Sequence, residues 1–267
     1  MTDAASVWRD VERLRAQAPL VHNITNYVVM NLTANALLAL GASPVMAHAP
    51  EEVEEMTGLA SALVLNIGTL SAPWITAMAR AGVAARRKGI PIVLDPVGAG
   101  ATRFRTQTAR HLLRDLRPAV LRGNASEIRA LATAESGTKG VDSRHAPEDA
   151  LDASRRLSSE FGSVVSVSGP VDLIVRDEAV VRTYNGHPLM PRVTGLGCVA
   201  SALTGAFAAV ADSPLEAAAE AMAVMGIAGE IAGDGAAGPA SFQVRFLDAL
   251  YGLREAEIAA RLRMESA

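Results

Sequence analysis

The stretch of the chain best suited to chemistry is Val193-Thr194-Gly195-Leu196-Gly197-Cys198, which runs directly into an apolar segment with helical spacing. Glycines let a backbone close around a ligand, and a helix start offers unpaired N–H groups with a partial positive charge. Together they suit a phosphate, or a phosphoryl group gathering negative charge as it transfers. A glycine turn before a buried helix would read the same way, so the pattern alone leaves both readings open. Cys198 stands where a helix start would lower its pKa and turn the thiol toward the loop. Three roles compete for it: general base toward a substrate hydroxyl, covalent nucleophile, or small packing residue. The nearest histidine, His187, lies eleven residues upstream and precedes a proline, which weakens the nucleophile reading. Gly195-Leu196-Gly197-Cys198-Val199-Ala200 also fits the dinucleotide pattern G-x-G-x-x-A. That pattern needs a following strand that ends in an acid, whereas 214–232 reads as helix, so a nicotinamide cofactor fails on context.

Two other stretches bring charge. Ile90-Pro91-Ile92-Val93-Leu94-Asp95-Pro96 places a carboxylate at the end of an apolar strand, where it could hold Mg²⁺ on a nucleotide or cap the turn. Arg122-Gly123-Asn124-Ala125-Ser126-Glu127 follows another apolar strand. Asn124 with Glu127 three residues later has the spacing of a capping box; Glu127 could instead face a metal, and Arg122 a phosphate. Asn23, Asn26, Asn31 and Asn35 cluster around an otherwise apolar helix, and Asn31 and Asn35 share one of its faces. Asparagine is a poor helix former, so the cluster points to hydrogen bonding with a substrate or, equally, to a solvent or subunit face. His22 reads as a hydrogen-bonded strand-end residue.

The elements that must position these groups alternate. Strands are expected near 19–22, 43–47, 63–66, 90–95, 119–122 and 164–168, with helices near 28–40, 51–57, 72–87, 106–115 and 147–161 between them. That order predicts an α/β fold with a mostly parallel central sheet flanked by helices on both faces. Residues 172–176 and 179–183 read as a hairpin, and 198–210, 214–232 and 240–260 as long helices. Only 136–147 is polar enough to be a substantial loop, and one domain over 1–267 is expected. Ligands gather at the carboxyl ends of parallel strands, and the expected ends carry polar or glycine-rich turns, among them Asn66-Ile67-Gly68, Asp95-Pro96-Val97-Gly98 and Ser168-Gly169-Pro170.

Composition narrows the setting. The formal net charge is -3, aromatics make up 4%, and no basic run occurs, which argues against nucleic acid as a partner. A single cysteine excludes a disulfide framework and a cysteine-based zinc site, and fits a reducing, cytoplasmic compartment. The start MTDAASVWRD has acids and no apolar core, unlike a secretory signal, and no apolar run is long enough to span a bilayer.

Seven stretches, in order, resemble one family: HNITNYVVMNLTANALLALGASPVM (22–46), LNIGTL (65–70), LDPVGAGATRFR (94–105), RGNASEI (122–128), GVDS (140–143), SGPVD (168–172) and TGLGC (194–198). The chain is similar to the hydroxyethylthiazole kinases of the ribokinase-like superfamily. The resemblance implies ATP- and Mg²⁺-dependent phosphorylation of 4-methyl-5-(2-hydroxyethyl)thiazole, a thiamine salvage step, by a homotrimer with active sites at its subunit interfaces. It implies that Arg122 and Ser168 contact ATP, that Met46 and Gly195 contact the thiazole, and that Asp95 and Glu127 serve the metal. The residue types add Asn124 and Gly197 beside the phosphates and Asn26 on the substrate side. Cys198 falls where related sugar kinases carry an aspartate base. Leu196 stands where the family commonly has Thr, and Ala240 where it usually has Gly. Other readings are a ribokinase-like kinase of hydroxymethylpyrimidine or another small alcohol, a nucleotide-binding relative without turnover, and a cysteine hydrolase.

Overall fold

The computed structural model describes residues 2–133 and 146–266. In chain order its elements are α1 (Ala4–Gln17), β1 (Leu20–Ile24), α2 (Met30–Leu40), β2 (Ser43–Val45), α3 (Val53–Leu59), β3 (Ala62–Asn66), α4 (Ala72–Lys88), β4 (Ile92–Asp95), α5 (Arg103–Leu116), β5 (Val120–Asn124) and α6 (Ala125–Thr133). Then follow α7 (Ala146–Phe161), β6 (Val164–Ser168), β7 (Asp172–Arg176), β8 (Ala179–Thr183), a 3₁₀ turn at Met190–Arg192, α8 (Leu196–Ala208), α9 (Pro214–Gly233), α10 (Pro239–Gly252), α11 (Glu255–Arg261) and β9 (Met264–Ser266). The GVDS run lies outside the described residues, as does the polar stretch 136–147 apart from its last two positions.

Among the described residues, nine strands form one sheet in the order β2-β1-β3-β4-β5-β6-β7-β8-β9. The pairs from β2 through β6 are parallel, and β7, β8 and β9 add to the edge antiparallel. The central strands are continuous apolar runs because both faces are covered. Leu63, Leu65, Ile92 and Leu94 face a core shared with α4 to α7, while Val64, Val93 and Val120 face α1, α2 and α8 to α10. No described helix is long and apolar enough to cross a membrane.

The expected long helix at 240–260 is two helices. Leu253 turns extended (φ -59°, ψ 130°) and buries its side chain, and Arg254 opens α11 with its N–H donating to Glu257 Oε2 at 3.0 Å. The propensity of this Ala-rich run does not reveal the break, since burial of Leu253 is a tertiary gain. α1 and β9 were not expected from the sequence, and β2 stops at Val45.

Glu220 of α9 is fully buried near Asp10 of α1, whose carboxylate Arg9 and Arg13 hold at 2.9 and 3.1 Å. Burial, then the negative charge of Asp10, pushes the Glu220 carboxyl up to about 9. The folded chain therefore keeps a proton that the unfolded chain releases near 4.5, and stability falls as pH rises from that range toward 9. Glu220→Gln removes the titration. Its melting temperature is expected to exceed that of the native chain by about 5 °C at pH 8 and to match it near pH 4. Thermal melts at the two pH values check this; a gap that does not widen with pH would remove Glu220 as the cause.

Candidate active site

β4, β5 and β6 end side by side, and their last residues meet the start of α8 around a cavity of about 410 Å³. Asn26, Asp95, Arg122, Asn124, Glu127, Ser168, Gly195, Gly197 and Cys198 all line it. These nine residues, separated along the chain by up to 172 positions, were all expected at the site from the sequence. Met46 is the exception. It follows β2 at the sheet edge, and it lines neither this cavity nor the larger cleft beside it.

Gly195 sets the geometry of the loop. It caps α8 with φ +89°, and a Cβ on it would lie 2.7 Å from Val29 Cγ1, so the loop packs directly on the segment between β1 and α2. That contact brings Asn26 against α8. Asn26 Nδ2 donates to Asn66 Oδ1 at 2.9 Å and reaches Cys198 Sγ at 3.5 Å. Asn66 Nδ2 in turn donates to Asp95 Oδ2 at 2.8 Å, and Ser201 Oγ donates to the same oxygen at 2.7 Å. A chain of neutral amides thus links the buried carboxylate to the thiol.

Neither Asn66 nor Ser201 was assigned a role from the sequence. Ser201 carried a usable signal, for it lies three residues after Cys198 on the same face of an otherwise apolar helix. Asn66 had only its place at a strand end. Asn23 is buried in β1, its amide turned to Val21 O at 2.9 Å. Asn35 donates to Asn31 at an exposed surface, so of the four asparagines only Asn26 reaches the cavity. His22 is the structural residue expected, its ring nitrogens 3.0 Å from Thr57 Oγ1 and 2.8 Å from Ala47 O.

The electrostatics correct one expectation. The Cys198 thiol is not lowered by the helix start. Burial, then the Asp95 charge, pushes it up to about 11, against weaker opposing effects from Asn66, Asn26 and Arg122. Asp95 itself is pushed up to about 7 by burial, with Arg122, Ser201 and Asn66 pulling the other way. Arg122 is 6% exposed, and its Nε is buried without a hydrogen-bond partner among the described residues. A buried guanidinium with an unused donor is suited to an anionic ligand.

Asn124 and Glu127 form the capping box their spacing suggests. The Glu127 N–H donates to Asn124 Oδ1 at 2.9 Å and the Asn124 N–H to Glu127 Oε2 at 2.9 Å, while Glu127 Oε1 accepts from the Gly98 N–H at 2.9 Å. Glu127 therefore anchors the loop after β4 and still presents a carboxylate to the cavity. Among the described residues no cluster of three or more His, Cys, Asp or Glu could hold a metal alone. Asp95 and Glu127 both line the cavity, and a Mg²⁺ ion on a nucleotide needs only one or two protein carboxylates, its other ligands being phosphates and water.

A second cleft of about 630 Å³ adjoins the first through Arg122, Ser168 and Gly197. Its walls are largely apolar, with Leu196, Ala200, Met222 and Met225 on one side and the segment after β8 on the other. Asp172 lies in it, 6% exposed, accepting from the Gly169 N–H at 3.0 Å; burial pushes its carboxyl up to about 7. A polar cavity thus opens to an apolar cleft through a shared arginine, an arrangement that can take an anionic group at one end and an apolar ring at the other.

The family model described as the hydroxyethylthiazole kinase family matches residues 11–256. The chain belongs to the hydroxyethylthiazole kinase family. Hydroxyethylthiazole kinase of Syntrophus aciditrophicus is 61% identical over 260 residues, 97% of this chain and 96% of the relative. The protein of the same name from Oleidesulfovibrio alaskensis is 60% identical over 97% of this chain and 98% of its own. Among solved structures, the hydroxyethylthiazole kinase protein of Pyrococcus horikoshii OT3 superposes with a TM-score of 0.91 at 47% identity, covering 98% of both chains. Pyridoxal kinase from Staphylococcus aureus, in complex with AMP-PCP and pyridoxal, shares the fold at a TM-score of 0.62 and 17% identity, over 79% of this chain and 88% of its own. The α/β, ribokinase-like architecture expected from the resemblance is the one found.

Proposed function

We propose that the chain transfers the γ-phosphoryl group of ATP to the hydroxyl of 4-methyl-5-(2-hydroxyethyl)thiazole, with Mg²⁺, as a thiamine salvage step. The observation that carries this reading is the meeting of Asp95, Arg122, Glu127 and Cys198 with the N-terminus of α8 in one cavity. Phosphoryl transfer asks the protein for alignment and charge stabilisation rather than covalent work. The nucleotide base occupies the larger cleft, and its phosphates pass Ser168 and Arg122 toward the N–H groups at Gly197 and Cys198. Mg²⁺, when bound, balances phosphate charge beside Asp95 and Glu127. The thiazole alcohol lies on the Asn26 and Gly195 side, with its hydroxyl toward Cys198 Sγ, which takes the proton. The sequence relatives favour the thiazole over hydroxymethylpyrimidine as acceptor.

Assembly as a homotrimer completes the site. Val28 lines the cavity yet is 70% exposed, and its neighbour Tyr27 is 64% exposed, so the cavity mouth has an apolar rim that a second subunit would cover. Met46, absent from the lining in its own chain, then reaches the thiazole across an interface.

ADP formation by the purified protein with Mg²⁺ and ATP tests the reading. Turnover is expected with the thiazole alcohol and not with hydroxymethylpyrimidine or without acceptor. Turnover with the pyrimidine alone would move the acceptor assignment, and ATP binding without turnover would favour a non-catalytic relative.

A further inference from the structure

The outer wall of the larger cleft is the segment Tyr184, Asn185, Gly186, His187, Pro188 and Met190, which follows β8. It has no regular structure of its own before Met190, so something else must fix it. Three glycines on one face of α9 provide the seat. A Cβ on Gly226 would lie 2.5 Å from Asn185, one on Gly229 2.6 Å from Met190 Sδ, and one on Gly233 2.4 Å from the His187 ring. Any side chain at these positions would push the wall off the helix and into the cleft.

Glu230, on the same helix, provides the tie. Its Oε1 accepts from Asn185 Nδ2 at 3.0 Å, the Gly186 N–H at 3.0 Å and Arg263 Nη2 at 2.6 Å. Asn185 is 6% exposed and uses its whole amide: Nδ2 also donates to Arg261 O at 2.7 Å, and Oδ1 accepts from the Arg263 N–H at 2.8 Å. Arg263 Nη2 donates in addition to Tyr184 O at 3.0 Å, and β9 then pairs with β8 just before the wall begins. The arginine lies beyond residue 256, where the family-model match ends.

We propose that Glu230, Asn185 and Arg263 form a positioning unit that holds the outer wall of the cleft, so that the residue leading into β9 helps set the affinity for nucleotide without touching the reacting atoms. The inference rests on the reading that this cleft holds the nucleotide. Charge-assisted bonds to a single carboxylate oxygen make the unit strong and shared, so its members should act together rather than additively.

Steady-state kinetics with ATP and the thiazole alcohol varied separately test it. Glu230→Ala is expected to raise the KM for ATP about tenfold, with kcat and the KM for the thiazole within twofold. Glu230→Gln keeps an acceptor oxygen and should hold the ATP KM within threefold. Arg263→Ala should raise it about threefold, and the double variant Glu230→Ala/Arg263→Ala should be no worse than Glu230→Ala alone. An unchanged ATP KM in Glu230→Ala overturns the proposal, including the case in which only kcat falls, the mark of partial unfolding. Hydrogen exchange of the native protein with and without ATP separates the two levels. Absence of ATP protection over 184–191 overturns the cleft reading and the positioning role with it. Protection there, with an unchanged KM in Glu230→Ala, overturns the positioning role alone.

Discussion

Replacing Cys198 with alanine is expected to lower kcat about a hundredfold and to abolish the rise of rate with pH beyond the range in which Asp95 ionises, leaving both KM values within threefold. The Sγ atom is 3.5 Å from Asn26 Nδ2 at the third residue of α8, beside the carboxylate of Asp95, and lines the cavity. Only the thiolate can take a proton, and with the thiol pushed up to about 11 its fraction grows roughly tenfold per pH unit through the neutral range. The native enzyme should therefore speed up steadily between pH 6.5 and 9. A general base contributes about 10²–10⁴ in rate, and a loose phosphoryl transition state in which deprotonation lags places this case at the low end. Cys198→Asp places a carboxyl, a stronger acid than a thiol, at the same buried position; it should retain activity and move the rise of rate to lower pH. Stopped-time assays of ADP formation across that range suffice. Equal kcat for the native protein and Cys198→Ala at every pH would assign the thiol to packing.

The contrast between a thiol at a helix start and the buried thiol of the fold shows which parts of the site a sequence can carry. A helix start at Gly195 and Leu196 is local information, and so is the capping box of Asn124 and Glu127, whose three-residue spacing reappears as two 2.9 Å hydrogen bonds. Strands buried on both faces write continuous apolar runs, which is why β3 to β6 were found where they lie. The surroundings of Cys198, by contrast, are tertiary: besides its burial, the thiol feels Asn26, Asn66 and the Asp95 charge, brought from elements far apart in the chain. A helix-start argument sees only the first turn, and desolvation outweighs it. Met46 shows the same limit from the other side. Its motif was legible, but its distance from the cavity depends on β2 being the edge strand, and edge position is fixed by sheet order rather than by local pattern.

Asp95→Asn should separate stability from activity most sharply. The variant is expected to lose about a thousandfold in kcat/KM, near 4 kcal/mol of transition-state stabilisation, while melting several degrees higher at pH 8. An asparagine can keep an oxygen facing Asn66 Nδ2 and Ser201 Oγ, the two donors now at 2.8 and 2.7 Å, so the packing survives and the charge is what goes. The charge is costly in the fold. Asp95 is 1% exposed, and burial pushes it up to about 7, so the folded chain holds a proton that the unfolded chain releases near 3.8. Stability contributed by the neutral form is thus lost as pH rises from 3.8 toward 7 and stays lost above it. The asparagine escapes that loss at pH 8 and gives no advantage at pH 4. What the native chain gains for the cost is a carboxylate lining the cavity beside Arg122, which on the proposed function would face a metal-bound phosphate. Thermal melts at both pH values and kcat/KM at pH 8 check the two halves together. A variant that is both less stable and less active would make Asp95 a structural residue, and one that keeps its activity would remove the carboxylate from phosphoryl transfer.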